Sequence, residues 1–206
     1  MQKKSVYSIV LSDRIVEQID RLAYQNGMSR SAMINHILAS KLSLVTPEQQ
    51  MRSILSAAQQ LLQDGDALQL LPTIADGMLA VKAPVRFKYN PSVRYAVELR
   101  SGSRGISGEL RAAARTQSES LTQALDRFFL LFARESGLDT GQIRIENGRF
   151  SLRFLLPTSD TEEAASKIAG LIQVMQRAME GFFDAYPNET PCIRAVRAAL
   201  SDHPLS

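Results

Sequence analysis

The first 45 residues alternate between apolar and polar positions with two different periods. Residues 5–12 are rich in β-branched side chains, and at a period of two Tyr7, Ile9 and Leu11 fall on one side of a strand. Two runs with helical spacing follow, separated by Gly27, a residue type that commonly ends a helix in the left-handed conformation. Ser29 is predicted to cap the second helix. The pattern predicts one strand and two short helices. A segment of this size usually needs oligomerisation to complete its core.

This order of elements resembles the ribbon-helix-helix domain of the Arc/MetJ/CopG type, over roughly a fifth of the chain. The resemblance is carried by Ile9-Val10-Leu11-Ser12, Ile19-Asp20-Arg21-Leu22-Ala23 and Asn26-Gly27-Met28-Ser29-Arg30-Ser31-Ala32-Met33-Ile34. In that family two protomers pair their strands into an antiparallel ribbon that lies in the major groove. The resemblance therefore implies an N-terminal ribbon-helix-helix arm at residues 1–45 that forms a homodimer and binds double-stranded DNA.

The resemblance also implies which residues contact DNA. The base-facing strand positions are Val6, Ser8 and Val10. The family binds a phosphate at the N-terminus of its second helix, which here corresponds to Ser29, Arg30 and Ser31. Lys3 and Lys4 precede the strand and are expected to reach backbone phosphates. Because valine contacts only a thymine methyl group, readout by these strand residues would discriminate G·C pairs weakly.

The distribution of charge favours DNA binding by the N-terminal segment. Residues 1–46 contain six basic and three acidic side chains, whereas the remaining residues contain 18 of each. The net charge of +3 therefore lies entirely in this segment. Dimerisation would double the local positive charge and strengthen binding to phosphates through counterion release.

The rest of the chain is predicted to form a helical linker at residues 46–78 and an α+β domain at residues 79–206. In this domain we expect two β-hairpin–helix units, so that the whole chain belongs to the α+β class. Asn147-Gly148 predicts a type I′ turn in the second hairpin. Helices are expected at about residues 118–136 and 161–186.

Charged side chains occupy the positions that alternate with the apolar ones along the predicted strands. The arginines in this set are Arg94, Arg100, Arg111, Arg115, Arg144, Arg149 and Arg153. They allow two interpretations: a second anion-binding surface, or a solvated face with cross-strand Arg–Glu pairs such as Glu146 opposite Arg149. We favour the second interpretation, and the absence of aromatic residues at this parity argues against a single-strand stacking platform.

Catalytic and metal-binding signatures are lacking. The two histidines, His36 and His203, have no partner at the spacing of a triad or metal site, and no phosphate-loop motif is present. We therefore expect no enzyme activity, metal or cofactor. No apolar run approaches the length of a membrane span, and the single Cys192 is typical of a reducing cytoplasm.

Two functions are compatible with these features. The first is a homodimeric, sequence-specific transcriptional regulator, most simply a cytoplasmic repressor, with a β-ribbon in the major groove. Its α+β domain would bind an effector or form higher oligomers. The second is an interaction protein, such as an antitoxin-like or mobile-element accessory factor, in which the arm mainly dimerises the chain.

Overall fold

The computed structural model describes residues 7–42, 45–63, 68–73, 77–102, 105–156 and 160–202. Its contacts divide the chain into two units, residues 1–50 and residues 51–206. The first unit is helical, and the second combines helices with one antiparallel sheet.

The described residues form six α-helices, one 3-10 helix (Thr140–Gln142) and six strands. The helices are α1 (Asp13–Gln25), α2 (Arg30–Lys41), α3 (Pro47–Gln63), α4 (Glu119–Glu135), α5 (Thr161–Ala185) and α6 (Glu189–Asp202). The strands are β1 (Gln69–Leu71), β2 (Met78–Pro84), β3 (Ser92–Gly102), β4 (Gly105–Ala114), β5 (Ile143–Glu146) and β6 (Arg149–Leu156).

The N-terminal unit contains the two predicted helices, and their boundaries follow from local signals. Gly27, with φ of +61°, ends α1 in the left-handed conformation, and the N–H of Met28 donates to the carbonyl oxygen of Ala23 at 2.8 Å. Ser29 is the N-cap of α2, as predicted. The core of the N-terminal unit is small and contains three buried side chains, Ile19, Ala23 and Met33.

The predicted N-terminal ribbon-helix-helix arm is wrong for this structure. The regular elements begin with α1, and the described residues before it, Tyr7–Ser12, form no strand. A strand requires a hydrogen-bonded neighbour, and all six strands of the sheet lie between residues 69 and 156. The β-branched residues of this segment favour a strand locally, but β propensity depends strongly on the tertiary context.

The second unit is an antiparallel sheet with the order β1-β2-β3-β4-β6-β5, and its α+β class agrees with the prediction. Side chains from one sheet face, including Tyr95, Leu110 and Leu152, join side chains from α3 to α6 in a single buried core. The helix α3 contributes Ile54 to this core, and β1, within the range predicted as helical linker, forms a short strand beside β2. The helices α3 to α6 therefore cover one face of the sheet.

Both predicted hairpin–helix units are present as consecutive elements. The hairpin β3–β4 precedes α4, and the hairpin β5–β6 precedes α5. Asn147 and Gly148 have φ of 53° and 69°, as a type I′ turn requires. The N–H of Gly148 donates to Asp126 Oδ1 on α4 at 2.8 Å, which anchors the turn to the helical layer.

Candidate functional site

Two of the three predicted base-facing residues, Ser8 and Val10, are described by the structure, and neither lies in a strand. Val6, Lys3 and Lys4 lie outside the described residues. Ser8 and Val10 are exposed in the non-regular segment before α1. Because the described residues Tyr7–Ser12 form no strand, the assignment of Ser8 and Val10 to base recognition has no structural basis here.

The predicted phosphate site lies at the N-terminus of α2. Ser29 Oγ accepts a hydrogen bond from the N–H of Ala32 at 3.3 Å, which satisfies one of the free donors of the first turn. Ser31 is exposed at the second position of the helix, where the N–H groups and the helix dipole attract anions. The backbone geometry thus retains an anion-attracting helix end.

Arg30 makes a contact that the sequence did not predict. Its Nε and one terminal nitrogen each donate to a carboxylate oxygen of Asp20, both at 2.6 Å. This bidentate pair joins α2 to α1, and the Arg30 hydrogen bonds hold the pKa of Asp20 below its usual range. The Arg30 charge is therefore compensated within the unit.

The two N-terminal helices expose more large apolar side chains than they bury. On α1, Ile15 and Leu22 flank the buried Ile19 at helical spacing and remain 49% and 41% exposed. On α2 and at its end, Ile37, Leu38 and Leu42 are also exposed. The apolar stripe predicted from the sequence is thus wider than the core that this unit contains.

The open face of the sheet carries the charged side chains that were predicted to alternate with the apolar ones along the strands. Strand register places the following side chains on the face opposite to the core: Arg94, Arg100, Arg111, Arg144, Arg149 and Arg153, with Glu98, Glu109 and Glu146. Arg115 lies beyond the end of β4 and is exposed. The helices α3 to α6 contribute side chains to the core on the other face.

Several of these arginines are paired with carboxylates. Glu98 accepts from Arg100 at 2.9 Å and interacts with Arg111 at 3.4 Å, and Arg111 also binds Glu109. The Arg111 hydrogen bonds lower the pKa of Glu109, with the charges of Arg153 and Arg100 adding to the effect.

Near the end of the hairpin β5–β6, Glu146 lies opposite Arg149 in the register, as predicted. Its carboxylate nevertheless lies 3.5 Å from the guanidinium of Arg144, two residues earlier on the same strand. Most of the observed pairs therefore join residues i and i+2 of one strand.

One row of side chains across the sheet contains three basic residues that form no ion pair within the described part of the chain. Lys82 lies opposite Arg94, Arg94 lies opposite Ala113, and Ala113 lies opposite Arg149. We call Lys82, Arg94 and Arg149 the basic row. Within the described part of the chain, none of the three forms an ion pair. Lys82 was not predicted as part of this face, although it alternates with the apolar Leu79 and Val81 along β2.

His36 and Cys192 each lie close to another polar group. His36 Nδ1 lies 3.4 Å from Gln49 Nε2, near the start of α3. The Cys192 thiol is buried, lies 3.5 Å from the carbonyl oxygen of Phe182, and has a pKa raised by burial. Among the described residues, no helix has the length and apolar character needed to cross a membrane.

Comparisons with protein families, with curated proteins and with solved structures found no match for this chain.

Proposed function

We propose that this chain is a homodimeric DNA-binding regulator, in which the N-terminal helical unit dimerises the protein and contacts the duplex. The observation that carries the proposal is the apolar surface of α1 and α2, which exceeds the small core of Ile19, Ala23 and Met33. Several exposed apolar side chains beside so small a core are characteristic of an interface. The proposal uses these helical faces and requires no β-ribbon.

DNA is supported as the ligand by charge and by the start of α2. The positive excess of the chain lies in residues 1–46, and a dimer would present it twice. The exposed helix end at Ser31 is suited to a phosphate group. The single Cys192, which is free and buried, supports a reducing cytoplasm as the compartment.

A second candidate function is favoured by the Arg30–Asp20 pair. Asp20 occupies two of the five N–H donors of Arg30 and compensates its charge, which weakens the attraction of Arg30 for a phosphate. The alternative is an interaction protein in which the N-terminal unit only dimerises the chain. The two functions share the dimer and differ in duplex binding, so each is tested separately.

The dimer is tested by placing a charge on the exposed apolar stripe. Leu22→Glu should raise the dimer dissociation constant about a hundredfold, because a symmetric interface contains the substitution twice and each buried charge costs at least about tenfold. Tyr24→Glu is the matched control, since Tyr24 is 90% exposed and lies two residues further around α1. Sedimentation equilibrium measures both variants. A Leu22→Glu protein that dimerises like the wild type contradicts the proposed interface.

DNA binding is tested at the start of α2. Ser31→Glu should weaken binding to duplex DNA by at least about tenfold, because it places a carboxylate where the phosphate would bind. The helix itself should remain folded, since acidic residues stabilise the first turn. Ser40→Glu, at the other end of α2, changes the charge equally and should retain binding. Selection from a random duplex library with the wild type, Ser31→Glu and Ser40→Glu identifies the operator and compares the affinities of the three proteins for it. Wild-type affinity of the Ser31→Glu protein would refute this site.

A further inference from the structure

The basic row differs from Arg100, Arg111 and Arg144 on the same face in that none of its three members forms an ion pair within the described residues, although Glu146 lies opposite Arg149 in the register. Glu98 and Glu109 accept from Arg100 and Arg111, and Glu109 also lies opposite Arg153. By contrast, Lys82 lies directly opposite Arg94, and like charges in that arrangement destabilise a sheet. The unbound protein therefore holds a repulsion that a bound anion would relieve.

The surroundings of Arg94 leave its guanidinium accessible. Two of its neighbours on the same face are small, Ala96 along β3 and Ala113 across on β4, while Lys82 lies opposite on β2. Arg94 and Arg149 are both exposed, and Lys82 is half-buried. Planar guanidinium groups with free donors bind phosphate oxygens in a bidentate manner, which makes a phosphate the best-matched anion.

The spacing and composition of the face indicate which phosphate-bearing ligand it fits. The basic row crosses three strand intervals, from β2 to β6, or about 14 Å. A duplex strand carries about four phosphates over that axial length. The described open face contains no aromatic side chain, so it lacks the stacking surface on which single strands are bound.

We propose that the open face of the sheet binds the phosphodiester backbone of double-stranded nucleic acid through Lys82, Arg94 and Arg149. The contact is independent of base sequence, because phosphates carry no sequence information. It extends the proposed function to a second surface, and it does not depend on the α2 site because Ser31 lies in the other unit.

The inference is tested by removing the basic row. The variant Lys82→Gln/Arg94→Gln/Arg149→Gln should bind a random-sequence duplex about tenfold or more weakly at low salt. The slope of log affinity against log salt should fall in magnitude by about three. The control Arg127→Gln/Arg177→Gln/Arg194→Gln removes three exposed arginines from α4, α5 and α6, which cover the other face. This control should bind like the wild type.

The same substitutions in the Ser31→Glu background separate this inference from the proposed function. If Ser31→Glu retains non-specific duplex binding and the added basic-row substitutions abolish it, the sheet contact is established, whatever the fate of the α2 site. If the basic-row variant keeps the wild-type salt slope, or the helix-face control loses as much affinity, the sheet contact is refuted while the α2 site still stands. Tighter binding of a single strand or of an acidic peptide than of the duplex also overturns the inference. Circular dichroism and thermal unfolding should show the basic-row variant at least as stable as the wild type, because a like-charge contact has been removed.

Discussion

Phe128→Ala should lower the free energy of unfolding of the α+β unit by about 3–5 kcal/mol. The Phe128 side chain on α4 is fully buried. Its ring centroid lies 5.3 Å from that of Phe129, 5.9 Å from that of Phe132 and 5.5 Å from that of Phe182 on α5. Alanine would leave a cavity between two helices and remove these aromatic contacts, which add to the transfer term.

Leu130→Ala provides the matched control on the same helix. Leu130 is 60% exposed, so its truncation should change stability by no more than about 0.5 kcal/mol. Urea unfolding followed by circular dichroism measures both variants, and amide exchange in β3 and β4 assigns the change to this unit. Phe128→Leu, with a smaller expected loss, keeps the measurement possible if the alanine variant does not fold. A Phe128→Ala protein as stable as Leu130→Ala would contradict the observed packing.

Tyr95→Phe should destabilise the same unit by about 1–3 kcal/mol, although it removes a single oxygen atom. The hydroxyl of Tyr95 donates to Gln176 Oε1 at 2.7 Å, and Gln176 Nε2 donates to Glu180 Oε1 at 2.8 Å. Tyr95 is completely buried, and Gln176 is 2% exposed. Phenylalanine would leave the Gln176 carbonyl oxygen buried without this donor, and such a group retains its full desolvation penalty.

The double variant Tyr95→Phe/Gln176→Leu should regain part of the lost stability, because both ends of the hydrogen bond are then apolar. Equilibrium unfolding of the two single variants and the double variant gives the coupling energy. If the double variant is destabilised by the full sum of the single effects, the two residues are not coupled through this hydrogen bond.

The pH dependence of stability provides an independent measurement on Tyr95. Burial, with a smaller contribution from the charge of Glu180, raises the pKa of the Tyr95 hydroxyl. The folded protein therefore retains this proton where the unfolded chain loses it, which begins at about pH 10. The contribution is complete below that pH and is lost as the pH rises further. Wild-type stability should accordingly fall more steeply than that of Tyr95→Phe in alkaline solution, and equal slopes would contradict the assignment.

Local signals predicted many of the elements well. Asn147-Gly148 identified a type I′ turn because few residue pairs tolerate two consecutive positive φ angles. Gly27 and Ser29 marked the end of α1 and the start of α2 because a left-handed residue and an N-cap hydroxyl act within one helical turn. The parity of Arg94 and Arg111 identified the open face, since side chains alternate strictly along a strand.

The N-terminal prediction was wrong because it depended on a partner strand that local sequence does not specify. Residues 5–12 have the composition of a strand, yet the described part, Tyr7–Ser12, pairs with none of the strands of the sheet. Gln69–Leu71 shows the converse case: this short apolar run was read as part of a helical linker, but pairing with β2 makes it a strand. A run of so few residues does not distinguish the two periods.

By itself, the sequence determined the α+β class, the positions of most helix ends and hairpin turns, and the face of the sheet on which the arginines lie. Each of these depends on backbone geometry within a few residues. Only the tertiary structure decided which charges are compensated. It pairs Arg30 with Asp20 on a different helix, pairs Glu146 with Arg144 on its own strand, and brings Lys82 beside Arg94 through the register of β2 and β3. Such contacts join residues distant in the chain or select among rotamers of long side chains, and neither is specified by local periodicity.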